Sequence, residues 1–237
     1  MESIKNLILP CCGSSSRFDG DIPKFLLENP KDSNLSMVCS SIKGLPYNNF
    51  DKIYVVVLQT HCDKYELETK LSEDFKTLGL DITIVKIHSP TTSASQTVCA
   101  CLEFENITGE VYVKDCDDYF KIDELNPDEI SVVSLNDCGR IHASNKSYVK
   151  INDQDIVTTI VEKNVISSDF CCGLYSFKDS YDFINSYNDL KDAHEGEIYI
   201  SHIIFNMMLN DKIFKINRAT DFIDWGTQTD WDIYLNS

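Results

Sequence analysis

The first half of the chain alternates short apolar runs with amphipathic segments. Apolar runs that are bounded by turn residues predict four strands, over 4–9, 51–58, 82–87 and 110–114. Apolar residues at helical spacing predict two helices, over 64–78 and 93–104. Gly79 is typical of the residue that follows a helix. This strand–helix order indicates right-handed βαβ units, in which strands buried on both faces lie parallel.

The pattern changes after Pro127, where strands and helices no longer alternate regularly. Four more strands are predicted, over 131–135, 156–161, 170–177 and 212–216. Two helices are predicted between them, over 179–190 and 199–209. No internal repeat or convincing linker interrupts the chain. We therefore expect one α/β domain over 1–237, with halves of about 1–125 and 126–237, built on a mixed, mostly parallel central sheet flanked by helices.

Composition describes an ordinary globular chain with an unusual charge. Of 237 residues, 43% are hydrophobic and 11% aromatic, which excludes disorder over most of the length. The 38 acidic against 21 basic residues give a net charge of −17. Such a chain repels phosphate backbones and anionic lipids, so binding to nucleic acid or to a membrane is not expected. A phosphorylated ligand would require cations gathered locally, and a divalent metal.

Targeting and cysteine patterns both favour the cytoplasm. No apolar run approaches the length of a membrane span, and residues 1–6 lack the features of a signal peptide. The ten cysteines form no CxxC pair and have no histidine cluster beside them. We expect them to be reduced and mostly buried, rather than zinc ligands or a disulfide framework.

A loop of small residues follows the first predicted strand and precedes two basic residues. Backbone N–H groups in such a loop can approach phosphate oxygens closely. Arg17 could then add a bidentate clamp and Lys24 a point charge. An ordinary turn with an exposed arginine explains this segment equally well. The loop comprises Pro10, Cys11, Cys12, Gly13, Ser14, Ser15 and Ser16.

Two acidic segments are candidate metal sites. Asp115, Asp117 and Asp118 directly follow the strand over 110–114, at the edge where open α/β sheets bind ligands. Their carboxylates suit a hard cation such as Mg²⁺, although a solvated acidic turn is the alternative. Asp224 lies in the second segment, over 222–230, where Thr227 or Thr229 could also cap a helix.

These segments together resemble the nucleotidyltransferase family that makes nucleotide-activated sugars. The family's first motif is Leu-x-Ala-Gly-x-Gly-Ser/Thr-Arg followed by Pro-Lys. Cys12 stands where Ala is usual, and Ser15 where the second glycine is usual. The matching positions are Gly13, Ser16, Arg17, Pro23 and Lys24.

Further segments match in the family order and extend the resemblance from position 9 to 230. Asp117 corresponds to the metal-binding aspartate after the strand, with Asp115 on the nucleotide side, and Asp224 to the second metal ligand. Ser93 and Ala94 occupy the place that commonly touches the nucleobase. Segments similar to those around the acceptor pocket contain Glu162, Lys163, Gly173 and Glu197.

The resemblance implies a reaction in which a phosphorylated acceptor attacks the α-phosphorus of an NTP and expels pyrophosphate. Arg17 would hold the triphosphate, Lys24 would lie near the α- and β-phosphates, and Lys163 would align the acceptor phosphate. Mg²⁺ (or Mn²⁺) on Asp117 and Asp224 would bridge the two substrates. The motifs look most like those of surface-polysaccharide enzymes, such as the cytidylyltransferase that activates phosphoglutamine for a capsule. CTP is therefore the favoured nucleotide.

Two other functions stay open at this point, as does a homo-oligomeric state. Asp115-Cys116-Asp117 is an Asp-x-Asp motif after a strand, as in glycosyltransferases that use nucleotide sugars. Those enzymes need no triphosphate loop after the first strand. Ser15 in place of glycine would also fit a nucleotide-binding module that has lost catalysis.

Overall fold

The computed structural model describes residues 3–13 and 17–237, so Ser14, Ser15 and Ser16 of the first loop lie outside the described residues. The strands are β1 Lys5–Pro10, β2 Glu28–Asn29, β3 Leu35–Ser36, β4 Lys52–Leu58, β5 Thr83–Ile87, β6 Glu110–Lys114, β7 Asp118–Lys121, β8 Glu129–Ser134, β9 Ser147–Ile151, β10 Val157–Glu162, β11 Asp169–Phe177, β12 Lys215–Arg218 and β13 Thr220–Asp224. The α-helices are α1 Met37–Ser41, α2 Gln59–Tyr65, α3 Leu67–Thr77, α4 Ala94–Phe104, α5 Ser180–Lys191, α6 Ile200–Leu209 and α7 Gln228–Asn236.

The N-terminal half builds the parallel part of the sheet, as predicted. β1 lies between β4 and β6 and is parallel to both, and β5 extends the sheet beyond β4. Leu7, Ile8 and Leu9 in the centre of β1 are fully buried. Alternate side chains of a strand point to opposite faces of the sheet, so Leu7 and Leu9 join one apolar core and Ile8 the other. Both faces are therefore covered by the flanking helices and loops.

The C-terminal half adds antiparallel strands to the same sheet. β11 pairs antiparallel with β6 at its C-terminal end and with β9 at Phe170, and β8 pairs antiparallel along its opposite side. β10 forms a hairpin with β9, and β12 runs parallel to β8. The mixed central sheet with flanking helices is thus confirmed, and its antiparallel share comes from this half.

The structure differs from the predicted helices and strands in two places. The helix predicted over 64–78 is interrupted at Glu66, which adopts a left-handed conformation with φ of 51° between α2 and α3. Gly79 follows the end of α3 with φ of +74°, as expected. β9 and β13 were not predicted, because their sequences mix polar and apolar residues and their pairing depends on distant strands.

The cysteines are free thiols, and all except Cys138 are buried, as predicted. Burial raises the pKa of Cys12, Cys39 and Cys99 to about 12. These thiols are therefore protonated at neutral pH and pack as small apolar groups. Across residues 3–13 and 17–237, the structure contains no helix long and apolar enough to span a membrane.

Candidate active site

A cleft of about 600 Å³ opens at the carboxyl ends of β1 and β6. We call the cleft residues up to Asp117 its N-terminal wall and those from His142 onward its C-terminal wall. The cleft brings together most of the predicted site residues: Pro10, Cys11, Gly13, Arg17, Lys24, Ser93, Ala94, Asp115, Asp117, Glu162, Lys163, Gly173, Glu197 and Asp224.

Among the predicted site residues that the structure describes, Cys12 alone does not line the cleft. Its buried thiol donates a hydrogen bond to the Val56 carbonyl at 3.5 Å, inside the apolar core. Because successive side chains of an extended segment point in opposite directions, Cys11 faces the cleft while Cys12 faces away. A ligand in the cleft could meet Cys12 only through its backbone.

A two-stranded ribbon of β7 and β13 brings the two predicted metal-binding aspartates together. Asp224 pairs with Asp118 in this antiparallel ribbon, and the Trp225 N–H donates to the Asp117 carbonyl at 2.9 Å. Trp225 is buried and packs edge-on against Trp231, with ring centroids 5.4 Å apart. This packing anchors the end of β13, so the aspartates meet although they lie far apart in the sequence.

Each of the two aspartates forms an ion pair with a lysine. The Lys24 ammonium contacts Asp117 Oδ2, and the Arg17 guanidinium lies 3.8 Å from the same oxygen. Lys146 Nζ lies 2.7 Å from Asp224 Oδ2, while Asp224 Oδ1 accepts a hydrogen bond from the Gly226 N–H at 3.0 Å. Two carboxylates and three cations therefore converge in one cleft.

These ion pairs stabilise the charged forms of Asp117, Lys24 and Lys146. Burial opposes ionisation of Asp117, but Lys24, Lys146 and Arg17 outweigh it and hold the pKa of Asp117 well below its usual range. Burial would lower the pKa values of Lys24 and Lys146, but Asp117 and Asp224 raise them instead. Asp117, Lys24 and Lys146 are consequently charged throughout the physiological pH range.

The space between the two aspartates is kept open by Gly226. A Cβ atom at this position would lie 2.9 Å from Asp224 Oδ1, 3.5 Å from Asp117 Oδ2 and 3.7 Å from a terminal nitrogen of Arg17. The two carboxylates thus face a common space that a side chain would partly fill. Glycine leaves it available for an ion or a phosphate oxygen.

The donor set around this space fits a magnesium ion that is shared with a phosphorylated ligand. Mg²⁺ commonly takes one or two protein carboxylates and completes its octahedron with phosphate oxygens and water. Asp117 and Asp224 supply the two carboxylates. Within residues 3–13 and 17–237, no group of three or more histidine, cysteine, aspartate or glutamate side chains is arranged to hold a metal by itself.

The other two aspartates of the first acidic segment differ from Asp117. Asp118 is buried and forms an ion pair with the fully buried ammonium of Lys114. Asp115 lines the cleft, and burial next to the negative charge of Asp117 raises the pKa of Asp115 to about 6. The segment therefore combines a structural aspartate, Asp118, with two that face the cleft.

Gly173 packs directly against these aspartates. It adopts a φ of +103°, and a Cβ atom there would lie 2.4 Å from Asp118 Oδ2 and 3.1 Å from Asp115 Oδ2. Its carbonyl accepts a hydrogen bond from the Asp115 N–H at 2.8 Å. Both the left-handed conformation and the close approach require glycine at this position.

The C-terminal wall fixes Glu162 and Lys163 at the end of the β9–β10 hairpin. Glu162 Oε2 accepts hydrogen bonds from the Ser147 hydroxyl and, at 2.6 Å, from the Ser201 hydroxyl. The exposed Lys163 donates to the Tyr199 hydroxyl, and its ammonium lies 4.1 Å from the centre of the Tyr199 ring. Glu162 is thereby held rigidly, whereas Lys163 rests on an aromatic surface at the rim.

The loop after β5 completes the N-terminal wall. Ser93 caps α4, because its side chain accepts a hydrogen bond from the Gln96 N–H at 3.1 Å. The Thr97 hydroxyl donates to the Ser93 carbonyl at 3.1 Å and lies 2.6 Å from the Thr91 hydroxyl. The predicted helix start at Ser93 is confirmed, and the loop presents small polar side chains to the cleft.

Sequence reasoning missed Lys146 and Ser147. Lys146 belongs to no recognised motif and precedes a strand that the apolar pattern did not predict. Ser147 pairs with Glu162 across the hairpin, so its role depends on strand register. Neither residue carries a signal that can be read without the fold.

Comparison with known proteins identifies the fold. No protein-family model and no curated protein matches the sequence. Among solved structures, a nucleoside-diphosphate-sugar pyrophosphorylase from Vibrio cholerae RC9 is similar, with a TM-score of 0.79, 20% identity, and coverage of 98% of this chain and 100% of that one.

Two further solved structures agree with the first. An inositol-1-phosphate CTP transferase from T. maritima has a TM-score of 0.72 and 16% identity over 97% of this chain and 92% of that one. A UDP-glucose pyrophosphorylase complexed with UDP-glucose has a TM-score of 0.74 and 12% identity over 98% of this chain and 97% of that one. Each of these structures aligns with nearly the whole chain. The protein therefore has the fold of sugar-phosphate nucleotidyltransferase structures, as the motif resemblance predicted.

Proposed function

We propose that this protein is a nucleotidyltransferase that joins an NTP to a phosphorylated small molecule and releases pyrophosphate. The observation that carries the proposal is the convergence of Arg17, Lys24 and Lys146 with Asp117 and Asp224 around the open space at Gly226. In a chain of net charge −17, cations gathered in one cleft provide the local positive potential that a triphosphate requires.

In this reaction an oxygen of the acceptor phosphate attacks the α-phosphorus of the NTP. The bond between the α-phosphorus and the α,β-bridging oxygen breaks, and pyrophosphate leaves with that electron pair. Arg17 and Lys24 would stabilise the charge that develops on the leaving group. The acceptor phosphate is already an anion at neutral pH, so the cleft needs no general base.

Mg²⁺ held by Asp117 and Asp224 would neutralise phosphate charge and hold the two substrates together. Lys163 would align the acceptor, and Glu162, Gly173 and Glu197 would line its pocket. Pro10, Cys11, Cys12, Gly13, Ser14, Ser15, Ser16, Ser93, Ala94 and Asp115 would form the nucleotide side.

We favour CTP as the nucleotide, and we propose that the protein acts in the synthesis of surface polysaccharide in the cytoplasm. One of the similar structures is described as a CTP transferase. The acceptor would be a sugar phosphate or a phosphoglutamine-like compound. The nucleotide and the acceptor are best determined together, because a transferase can use an NTP only when its partner substrate is present.

The test is pyrophosphate release with each of CTP, UTP, dTTP, ATP and GTP, in the presence of Mg²⁺ and a panel of sugar 1-phosphates and phosphoglutamine. Release that requires one NTP and one acceptor, and is lost in Asp117→Asn, would support the proposal. Turnover of a nucleotide sugar with release of a nucleoside diphosphate would instead assign a glycosyltransferase. Tight NTP binding without turnover across the panel would favour a non-catalytic nucleotide-binding module.

A further inference from the structure

Lys146 is a cleft lysine that none of the sequence motifs contains. Its side chain is 17% exposed and lines the cleft directly before β9. The ammonium lies 2.7 Å from Asp224 Oδ2 and 5.2 Å from the centre of the Phe222 ring. Lys146 therefore forms an ion pair with Asp224, the proposed second metal ligand, and its ammonium lies beside the Phe222 ring.

The backbones of Lys146 and Lys163 are neighbours, but their ammonium groups lie in different parts of the cleft. The Lys163 N–H donates to the Lys146 carbonyl at 3.0 Å, so the two backbones meet across the β9–β10 hairpin. The Lys163 side chain is exposed and contacts Tyr199 at the rim. The Lys146 side chain extends inward to Asp224. Of the two lysines, Lys146 lies closer to the carboxylates where the two phosphates of the proposed reaction would meet.

Stability alone does not explain a lysine here. Moving an ammonium out of water costs free energy, and a buried ion pair often contributes no more than apolar residues of similar size. An ammonium that lines a cleft has another use, because it can exchange a carboxylate partner for a phosphate. Such an exchange keeps the site neutralised both with and without a ligand.

We propose that Lys146 is a phosphate-binding residue of the C-terminal wall: when Asp224 takes a metal ion, Lys146 passes from Asp224 to the phosphate of the acceptor. That this phosphate belongs to the acceptor rests on the proposed function. That Lys146 binds a phosphate does not, and it can be tested without nucleotide or metal.

The experiment measures the affinity for inorganic phosphate by calorimetry in metal-free buffer. Asp224→Asn removes the partner of Lys146, so phosphate should bind about tenfold more tightly than to the wild type, as expected for one charge-assisted contact. Replacing Lys146 by Met in the same background should abolish this gain. The matched control is Asp224→Asn with Lys150→Met, which has the same net charge and removes an exposed lysine from β9, the strand that follows Lys146. It should retain the gain.

Equal phosphate affinities in the two double variants would overturn the proposal, as would the absence of any gain in Asp224→Asn. Circular dichroism of each variant checks the fold, and Lys146→Gln in the Asp224→Asn background replaces the Met variant if that one does not fold. This comparison of phosphate affinities among the variants, the phosphate cycle, is independent of turnover. A protein that releases no pyrophosphate with any substrate pair would refute the proposed function, whereas the phosphate cycle would still decide the role of Lys146.

Discussion

Each wall of the cleft neutralises an aspartate with a lysine, but the two aspartates have different numbers of cations beside them. On the N-terminal wall, Asp117 faces both Lys24 and Arg17, and the Arg17 side chain is 53% exposed. On the C-terminal wall, Asp224 has the single ammonium of Lys146, whose side chain is 17% exposed. Asp117 therefore has a second cation beside it that is accessible to solvent, whereas Asp224 is paired with one enclosed ammonium.

This difference suggests how the cleft would divide its ligands. A triphosphate needs more positive charge than a monophosphate, and it would enter beside Asp117, where two cations lie. The pair of Asp224 and Lys146 would release its lysine only when a metal takes the aspartate.

Asp117→Asn should reduce the rate of pyrophosphate release by about 1000-fold, because it would remove the proposed metal ligand from the side of the cleft where we propose that the triphosphate binds. The measurement is steady-state release at saturating Mg²⁺. Asp123→Asn, which alters an exposed aspartate beyond β7, is the control and should keep the wild-type rate. A normal rate in Asp117→Asn would remove Asp117 from the metal site.

Arg17→Ala should reduce kcat by about 100-fold, since Arg17 would stabilise charge on the departing pyrophosphate. Arg17→Lys keeps the charge but loses the planar fork, so only part of the rate should return. If Arg17→Lys matched the wild type, the contribution of Arg17 would be charge alone. If Arg17→Ala were as fast as the wild type, the second cation beside Asp117 would have no catalytic role.

Lys163→Met should raise KM for the acceptor by about tenfold while leaving the Kd for the nucleotide within about twofold, as expected for the loss of one charge-assisted contact at the rim. Comparing the acceptor KM with the nucleotide Kd separates the two walls, because only the acceptor would lie near Lys163. Lys178→Met removes another exposed lysine and serves as the control. An unchanged acceptor KM would place the acceptor away from Tyr199.

The smallest effect concerns pH and the start of α6. His202 Nδ1 accepts a hydrogen bond from the Tyr199 N–H at 3.3 Å, and burial together with His194 lowers the pKa of His202. The unfolded chain therefore binds this proton at a higher pH than the folded protein does. As pH falls through the ordinary histidine range, the folded state loses stability relative to the unfolded state.

Denaturant unfolding at pH 7.5 and pH 5 measures this effect. His202→Gln should show a smaller loss of unfolding free energy on acidification than the wild type, while His88→Gln, at an exposed position, should behave like the wild type. An identical pH dependence in His202→Gln would show that the neutral imidazole does not stabilise this part of the C-terminal wall.

The contrast between the walls also explains how far the sequence could be interpreted. Most of the N-terminal wall consists of loops that follow parallel strands, so residues such as Arg17 and Asp117 can be located from strand ends alone. The C-terminal wall depends on which residues face each other across antiparallel ladders. Lys146 meets Asp224 only because β9, β13 and their partners adopt one register, and register is set by contacts distant in sequence.

Asp118 illustrates the same limit within a single segment. Its sequence position is as favourable for a metal ligand as that of Asp117, but its carboxylate pairs with the buried Lys114. The apolar pattern places Lys114 at the end of a buried strand without indicating that its ammonium is enclosed there. Only the structure reveals which of the adjacent aspartates neutralises that charge.

Nucleotidyl transfer with release of pyrophosphate is tested most directly by following the two ends of the nucleotide separately. Each of CTP, UTP, dTTP, ATP and GTP, labelled with ³²P at the α-phosphate and in a parallel reaction at the γ-phosphate, would be incubated with Mg²⁺ and the acceptor panel. We expect the α-label to appear in a product that also contains the acceptor, while the γ-label is recovered as pyrophosphate. Transfer of the γ-label to an acceptor, or no transfer of either label from any nucleotide, would contradict this expectation.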